Sequence, residues 1–308
     1  MSARHKTSLS TFDAFKHIKP NENMVKVEGD TLIGLQHVLL KMLADIDDAC
    51  ARGGINYTLG GGSCLGAVRH HGFIPWDDDL DINMPRGDFE KLRRNFMALF
   101  GDNYLLQAPG DPGYELAFGR IRLRGTTLRT RDDFDATECG VYVDIFIIED
   151  VPDSAPLRYF HGFGSQALGF IYSCRRFYEH QAAYLDWAEG NESLARIIRI
   201  KSRVGRAFAN KTVEERCLAW SNWNAKYAGR SHEYVSIPVG RKHYFGELIK
   251  RDDYLPANAG QFEGLAVKLP RHPDVYLAGL YGSHFMEVPP VSDRESHVVF
   301  QLDLGEYK

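Results

Sequence analysis

Asp77, Asp78, Asp79 and Asp81 crowd into a single short run, and the apolar residues Leu80 and Ile82 are threaded through its end. A strand that buries Leu80 and Ile82 must deliver neighbouring carboxylates to one place, because side chains alternate between its two faces. In extended backbone Asp77, Asp79 and Asp81 share a face at spacings of about 7 Å, where like charges repel. That repulsion is tolerable when a cation neutralises it. Magnesium, with manganese as the substitute, prefers carboxylate, water and phosphate oxygen, so Asp77, Asp79 and Asp81 are the expected metal ligands.

Upstream, residues 55–59 form a short strand signal that runs into Gly60, Gly61 and Gly62, where the chain must turn sharply. Ser63 is positioned to cap a helix through about His70, and the backbone N–H groups near Gly62 with the Ser63 hydroxyl can then face a phosphate. Arg69 falls two turns later on the side of Gly62. The bland alternatives are a solvated acidic loop and a surface salt bridge for Arg69. An EF-hand is excluded in detail: Ile82 stands where the loop requires Gly, and Asp88 where it requires Glu. A P-loop needs Lys after its last glycine, but Ala67 and Val68 follow Gly66; a dinucleotide fingerprint needs Gly where Leu65 stands.

The rest of the chain supplies a frame. Leu32, Leu35, Val38, Leu39, Met42 and Ile46 recur at helical spacing. A strand over 79–84 and a second over 140–150 follow; in the second, Val141, Val143, Ile145 and Ile147 oppose Tyr142, Asp144 and Phe146, which delivers Asp144 toward a site. Residues 156–230 read as helical and basic, and a short helix is expected near 275–281. We therefore expect an α/β (α+β) fold with a mixed sheet: an extension over 1–30, a core over 31–155, a helical insertion over 156–234, and a C-terminal part over 235–308 that completes the core.

A net charge of -4 gives no general reason to bind nucleic acid. Five cysteines without a C-x-x-C pair read as free thiols of a reducing compartment. The N-terminus lacks the apolar stretch of a signal peptide, and no segment approaches a membrane span. A cytoplasmic protein, peripheral at the inner face of the membrane, is expected. The peripheral contact falls on 194–211, where Ile197, Ile200, Val204 and Phe208 form an apolar stripe on a helix beside Arg196, Arg199, Arg203 and Arg206. A packed helix with a solvated charged face is the alternative.

Residues 62–70, Gly-Ser-Cys-Leu-Gly-Ala-Val-Arg-His, followed by 72–81, Gly-Phe-Ile-Pro-Trp-Asp-Asp-Asp-Leu-Asp, resemble the signature of LicD-type phosphocholine transferases, a family that includes the fukutin-related ribitol-phosphate transferases. The resemblance continues through 120–127, 143–146, 262–264 and 276–282, then Pro289-Pro290, Arg294 and His297. It implies a nucleotidyltransferase-like core, with Asp79 and Asp81 as the metal pair, Asp77 in support and Asp144 as the further carboxylate; we expect Asp144 to join the metal ligands and, as the catalytic carboxylate, to take the acceptor proton. Arg120, where the family often has Lys, is expected to join Arg69 in offsetting phosphate charge, and His297 to line the site. Ile147 and Glu149 depart from the usual Pro and Asp.

The implied reaction moves a phosphoalcohol, phosphocholine foremost, from a CDP-activated donor to a hydroxyl of a glycan or lipid-linked glycan of the lipopolysaccharide or teichoic acid kind, releasing CMP. Two rivals stay open: a nucleotidyltransferase that consumes a nucleoside triphosphate and releases pyrophosphate, and a non-catalytic glycan-binding relative, against which the intact carboxylates argue. Trp76, Tyr142, Trp187, Trp220 and Trp223 are candidates for a box around a quaternary ammonium, with core packing as the simpler reading.

Overall fold

A computed structural model describes residues 24–134, 136–294 and 297–307; most of the expected N-terminal extension lies outside them. The first helix among the described residues is α1 (Gly29–Gly53), whose apolar spacing buries Leu35, Leu39, Met42 and Ile46 completely. Gly54 ends it in the left-handed conformation, as a helix C-cap commonly does.

A curled mixed sheet carries the core. Its order is β1 (Thr58–Leu59), β2 (Asp81–Pro85), β6 (Tyr142–Val151), β4 (Gly119–Leu123) and β3 (Tyr104–Gln107). Only β2 and β6 run parallel along this path; the other neighbours are antiparallel. Helix α2 (Gly61–His70) connects β1 to the segment before β2, and α3 (Arg86–Phe100) follows β2. Both faces of β6 are covered, so Tyr142 and Asp144 are buried as well as Val143 and Ile145. β5 (Thr127–Thr130) pairs instead with β11 (Val299–Asp303), drawing the chain's end back to the core.

After β6 come four helices: α4 (Ala155–Glu179), α5 (Gln181–Trp187), α6 (Glu192–Ala207) and α7 (Val213–Asn224). Glycines let them approach closely. A Cβ on Gly205 would lie 2.0 Å from the Cys174 carbonyl oxygen, and one on Gly164 would lie 2.3 Å from the Trp223 ring. The chain returns through β7 (Tyr234–Ser236), α8 (His243–Gly246), β8 (Leu248–Lys250), α9 (Arg251–Tyr254) and the hairpin β9 (Asn258–Phe262) and β10 (Leu265–Leu269), then α10 (Pro273–Tyr281). β7 extends the sheet by pairing with the far end of β6.

Three local expectations are corrected. The strand begins at Asp81 rather than Asp79, so Asp77, Asp78 and Asp79 lie in the approach to it. Gly60, not Ser63, is the N-cap of α2; Ser63 lies inside the first turn, where its Oγ accepts the Asp81 N–H at 2.8 Å. On α6 the buried face is Leu194, Ile197, Ile198, Lys201 and Gly205, while Ile200 is 42% exposed among the arginines. The helix has turned because Gly205 and Ser202, rather than Val204, meet α4: the Ser202 hydroxyl donates to the Phe177 carbonyl. All five cysteines are free and buried. Among the described residues no helix is long and apolar enough to cross a membrane.

Candidate active site at the end of the β2–β6 pair

One row of side chains crosses three strands. Asp81 on β2 is registered directly against Asp144 on β6, and Asp144 against Arg120 on β4. Directly opposed residues point to the same face, so the sheet itself aligns carboxylate, carboxylate and guanidinium. Arg120 is 1% exposed. Its Nε and Nη2 donate to the two Asp144 carboxylate oxygens at 2.6 and 2.9 Å, the forked geometry that suits guanidinium to carboxylate. Arg120 Nη1 has no hydrogen-bond partner and lies 3.6 Å from Asp133 Oδ1. The arginine expected to meet phosphate is thus spent largely inside the protein, on Asp144.

The glycine turn closes over the other end of this row. The Gly60 N–H donates to the Asp81 carbonyl at 2.9 Å, and the Gly61 N–H to Tyr276 Oη at 3.0 Å. A Cβ on Gly62 would stand 2.9 Å from Asp77 Oδ2; one on Gly61, whose φ is +42°, would stand 3.1 Å from Asp81 Oδ2. Only glycine lets the helix start lie against two carboxylates. Beneath the turn, Asn83 donates to Tyr254 Oη at 2.7 Å and to Tyr276 Oη at 3.1 Å.

Asp77, Asp79 and Asp81 are only half-buried, yet their carboxyls are pushed above the usual carboxylate range. Burial is the largest cause, and the neighbouring carboxylates Asp79, Asp78 and Asp144 add repulsion, partly offset by His297. Asp78 behaves differently. Burial pushes its carboxyl up, but the charge of His297 and two hydrogen bonds from that residue outweigh it and hold the carboxyl below its ordinary value. His297 in turn is lifted well above the usual imidazole value: burial works against its proton, and Asp78 and Asp79 overcome that. His297 Nε2 lies 3.6 Å from Asp79 Oδ2.

Asp79 and Asp81 offer oxygen donors under mutual repulsion beside a helix N-terminus, a setting in which Mg²⁺ can be shared between protein and phosphate. The expected set Asp77, Asp79, Asp81 and Asp144 does not come together at ligand spacing among the described residues; the group whose ligand atoms lie within 4.8 Å of one another is Asp78, Asp79 and His297. Asp144 differs, since both its oxygens already accept from Arg120.

Arg69 lies at the end of α2, half-buried; its Nη1 donates to the Phe285 and Glu287 carbonyls at 2.9 and 3.0 Å. It therefore ties the segment after α10 to the site. Glu263 does the same for the turn after α2, accepting the Phe73 N–H at 3.1 Å. Residues the sequence reading did not single out are Asp78, Asn83 and Tyr254, whereas Tyr276 falls in a segment that carried the resemblance; nothing local distinguishes Asp78 from its neighbours, because its partner is far along the chain. The five aromatic residues considered for a box are dispersed: the Arg294 guanidinium covers Trp76 at 3.9 Å, Arg120 covers Tyr142, Trp187 stacks on Phe134, and Trp220 and Trp223 pack on α4.

The parallel β2–β6 pair, its carboxylate row and the glycine-turned helix start all lie in or beside one continuous stretch of the chain. Residues 54–153 match the family described as "LicD/FKTN/FKRP, nucleotidyltransferase domain", and the chain carries a LicD family domain. It is 26% identical over 286 residues, covering 87% of this chain and 96% of the relative, to the lipopolysaccharide cholinephosphotransferase LicD of Haemophilus influenzae. Shorter matches reach uncharacterized proteins of Rickettsia typhi, 38% identical over 64 residues (20% of this chain, 21% of the relative), and of Rickettsia prowazekii, 42% over 50 residues (16% and 19%).

Proposed function

We propose that this chain is a transferase that moves phosphocholine from CDP-choline to a hydroxyl of a lipopolysaccharide-type glycan, releasing CMP, with the cytoplasm as its setting. The observation that carries this reading is the Asp81–Asp144–Arg120 row beneath a glycine-turned helix start, in a chain similar along most of its length to a lipopolysaccharide cholinephosphotransferase.

Asp79 and Asp81, supported by Asp77, would hold Mg²⁺ or Mn²⁺, which when bound supplies a Lewis acid to the donor diphosphate. Because the Gly60 and Gly61 N–H groups are bonded within the protein, the next N–H groups of α2 would be the ones to face the phosphates, with Gly62 keeping the backbone close. Ser63 accepts from the Asp81 N–H and keeps its own hydroxyl proton to donate. Arg69 offsets phosphate charge from the rim. Asp144, with both oxygens engaged by Arg120, suits positioning the row better than taking a proton. His297, whose Nε2 lies 3.6 Å from Asp79 Oδ2, would keep the orientation of that metal-binding carboxylate.

Incubation with CDP-choline, acceptor lipopolysaccharide and Mg²⁺ should release CMP and label the glycan. Incubation with CTP should release no pyrophosphate; pyrophosphate release without CMP would move the reading to a nucleotidyltransferase, and neither product to a binding protein.

A further inference from the structure

Helix α4 carries one stripe at coiled-coil spacing: Phe160, Phe163, Ala167, Phe170, Cys174 and Phe177. Its second half is covered. Cys174 and Phe177 are buried beneath α6, where Gly205 brings the two backbones together. α6 ends at Ala207, and the first half of the stripe stays open: Phe160 and Phe163 are each 63% exposed and Phe170 44%. Leu157 and Tyr159, 50% and 57% exposed, widen it.

The open half is built as a platform. Gly162 and Gly164 have no side chains, so the rings of Phe245 and Trp223 lie down against α4. Phe245 then meets Phe163 at 5.2 Å and Tyr159 at 5.8 Å, and Trp223 meets Phe160 at 6.0 Å between ring centres. Single exposed apolar residues are ordinary; a contiguous aromatic surface marks a contact with something else.

Charge identifies that partner. There is no acidic residue in 155–178, in 193–213 or in 238–246. The rim is basic: Lys226 sits over the Trp223 ring at 5.1 Å, and Arg196, Arg203 and Arg206 of α6 are exposed, as is Arg199, which lies 3.8 Å from Glu192 at the far end of the helix. A second copy of this chain would set basic rim against basic rim, which electrostatic complementarity disfavours. An anionic bilayer leaflet satisfies both features, since aromatic rings settle at the headgroup boundary and arginines attract anionic lipid.

We propose that the exposed aromatic half of α4, with the arginine face of α6, is a docking surface for an anionic lipid leaflet. The stripe expected on α6 alone is therefore divided between two helices, apolar on α4 and basic on α6. This surface stands apart from the carboxylate row, and its test does not depend on the transfer reaction.

Full-length protein is sedimented with phosphatidylglycerol-rich and with pure phosphatidylcholine vesicles, at low and high salt. Wild type should bind the anionic vesicles, and more weakly as salt screens the arginines. Phe160→Ser/Phe163→Ser, both at exposed positions, should lose about tenfold or more at either salt, and Arg199→Glu/Arg203→Glu should lose about as much at low salt. The circular dichroism spectrum and the melting temperature should be unchanged in both. Absence of wild-type binding to anionic vesicles, or equal binding to both vesicle types, overturns the proposal without any variant. Wild-type binding by the phenylalanine pair also overturns it, as does a wild-type dimer that this pair converts to monomer while no vesicle binding is seen.

Discussion

Asp78 holds His297 by both of its carboxylate oxygens: Oδ1 lies 2.7 Å from the imidazole Nδ1, and Oδ2 accepts the backbone N–H of the same residue at 3.1 Å. A carboxylate in the middle of the acidic run thus serves a residue 219 positions away. Trp76 serves Arg294 in the same way, so the even-numbered residues 76 and 78 fasten the C-terminal segment while the odd-numbered Asp77 and Asp81 meet the glycine turn.

Asp78→Asn should therefore destabilise the protein in a pH-dependent manner. The Asp78 pKa is depressed from 3.8, so its contribution is present above that value and lost as pH falls through the folded-state value. His297 is raised from 6.5, so its contribution is full below 6.5 and lost as pH rises through the elevated folded value. The difference in melting temperature between wild type and Asp78→Asn should be widest from about pH 4 to about pH 6.5 and shrink outside that window. A difference that stays flat with pH would remove the charge pairing from the account.

Asp81→Asn should separate stability from activity. It relieves repulsion among crowded, half-buried carboxylates, so the metal-free protein should melt at the same temperature or higher. Transfer should fall on the order of a hundredfold or more, and the stabilisation by Mg²⁺ should be lost. EDTA should reproduce the activity loss in wild type. Full activity in the variant, measured as CMP release, would exclude Asp81 as a metal ligand.

Arg120→Ala leaves Asp144 buried without its partner and should cost about 3 to 5 kcal/mol by denaturant unfolding. Arg120→Lys should recover only part of this, because a point donor cannot reach both Asp144 oxygens as the fork does. Full recovery by lysine would show that charge alone, and not the fork, holds the row.

Features set by near neighbours were readable in the sequence. The apolar spacing of α1, the alternation in β6 and the glycines at the start of α2 each declare a local geometry that the structure keeps. The curled mixed sheet agrees with the expected fold class. Features set by distant partners were not readable. Asp78 looks like its neighbours until His297 is brought to it, and Arg120 looks like a phosphate contact until β4 pairs with β6. Ser63 looks like a cap until the Asp81 N–H arrives at its hydroxyl. The tilt of α6 depended on Gly205 fitting against Cys174, which no periodicity within α6 records.

Glu247 offers a stability test away from the carboxylate row. It is 3% exposed, accepts the Lys242 N–H at 2.9 Å, and packs so closely that a Cβ on Gly240 would lie 2.3 Å from its Oε1. Burial pushes its pKa from 4.5 to about 7, although the Lys242 N–H and the charges of Lys242 and Arg241 pull the other way. Between those two values the folded chain binds more protons than the unfolded chain, so stability falls as pH rises through the window and levels off above it. At 1.36 kcal/mol per unit, the full penalty is about 3 kcal/mol. Glu247→Gln keeps the acceptor oxygen and removes the buried charge. Its melting temperature should exceed that of wild type at about pH 8, and the two should converge as pH falls toward about 4.5. Parallel melting curves for the two proteins across this range would mean that Glu247 ionises freely in the folded state.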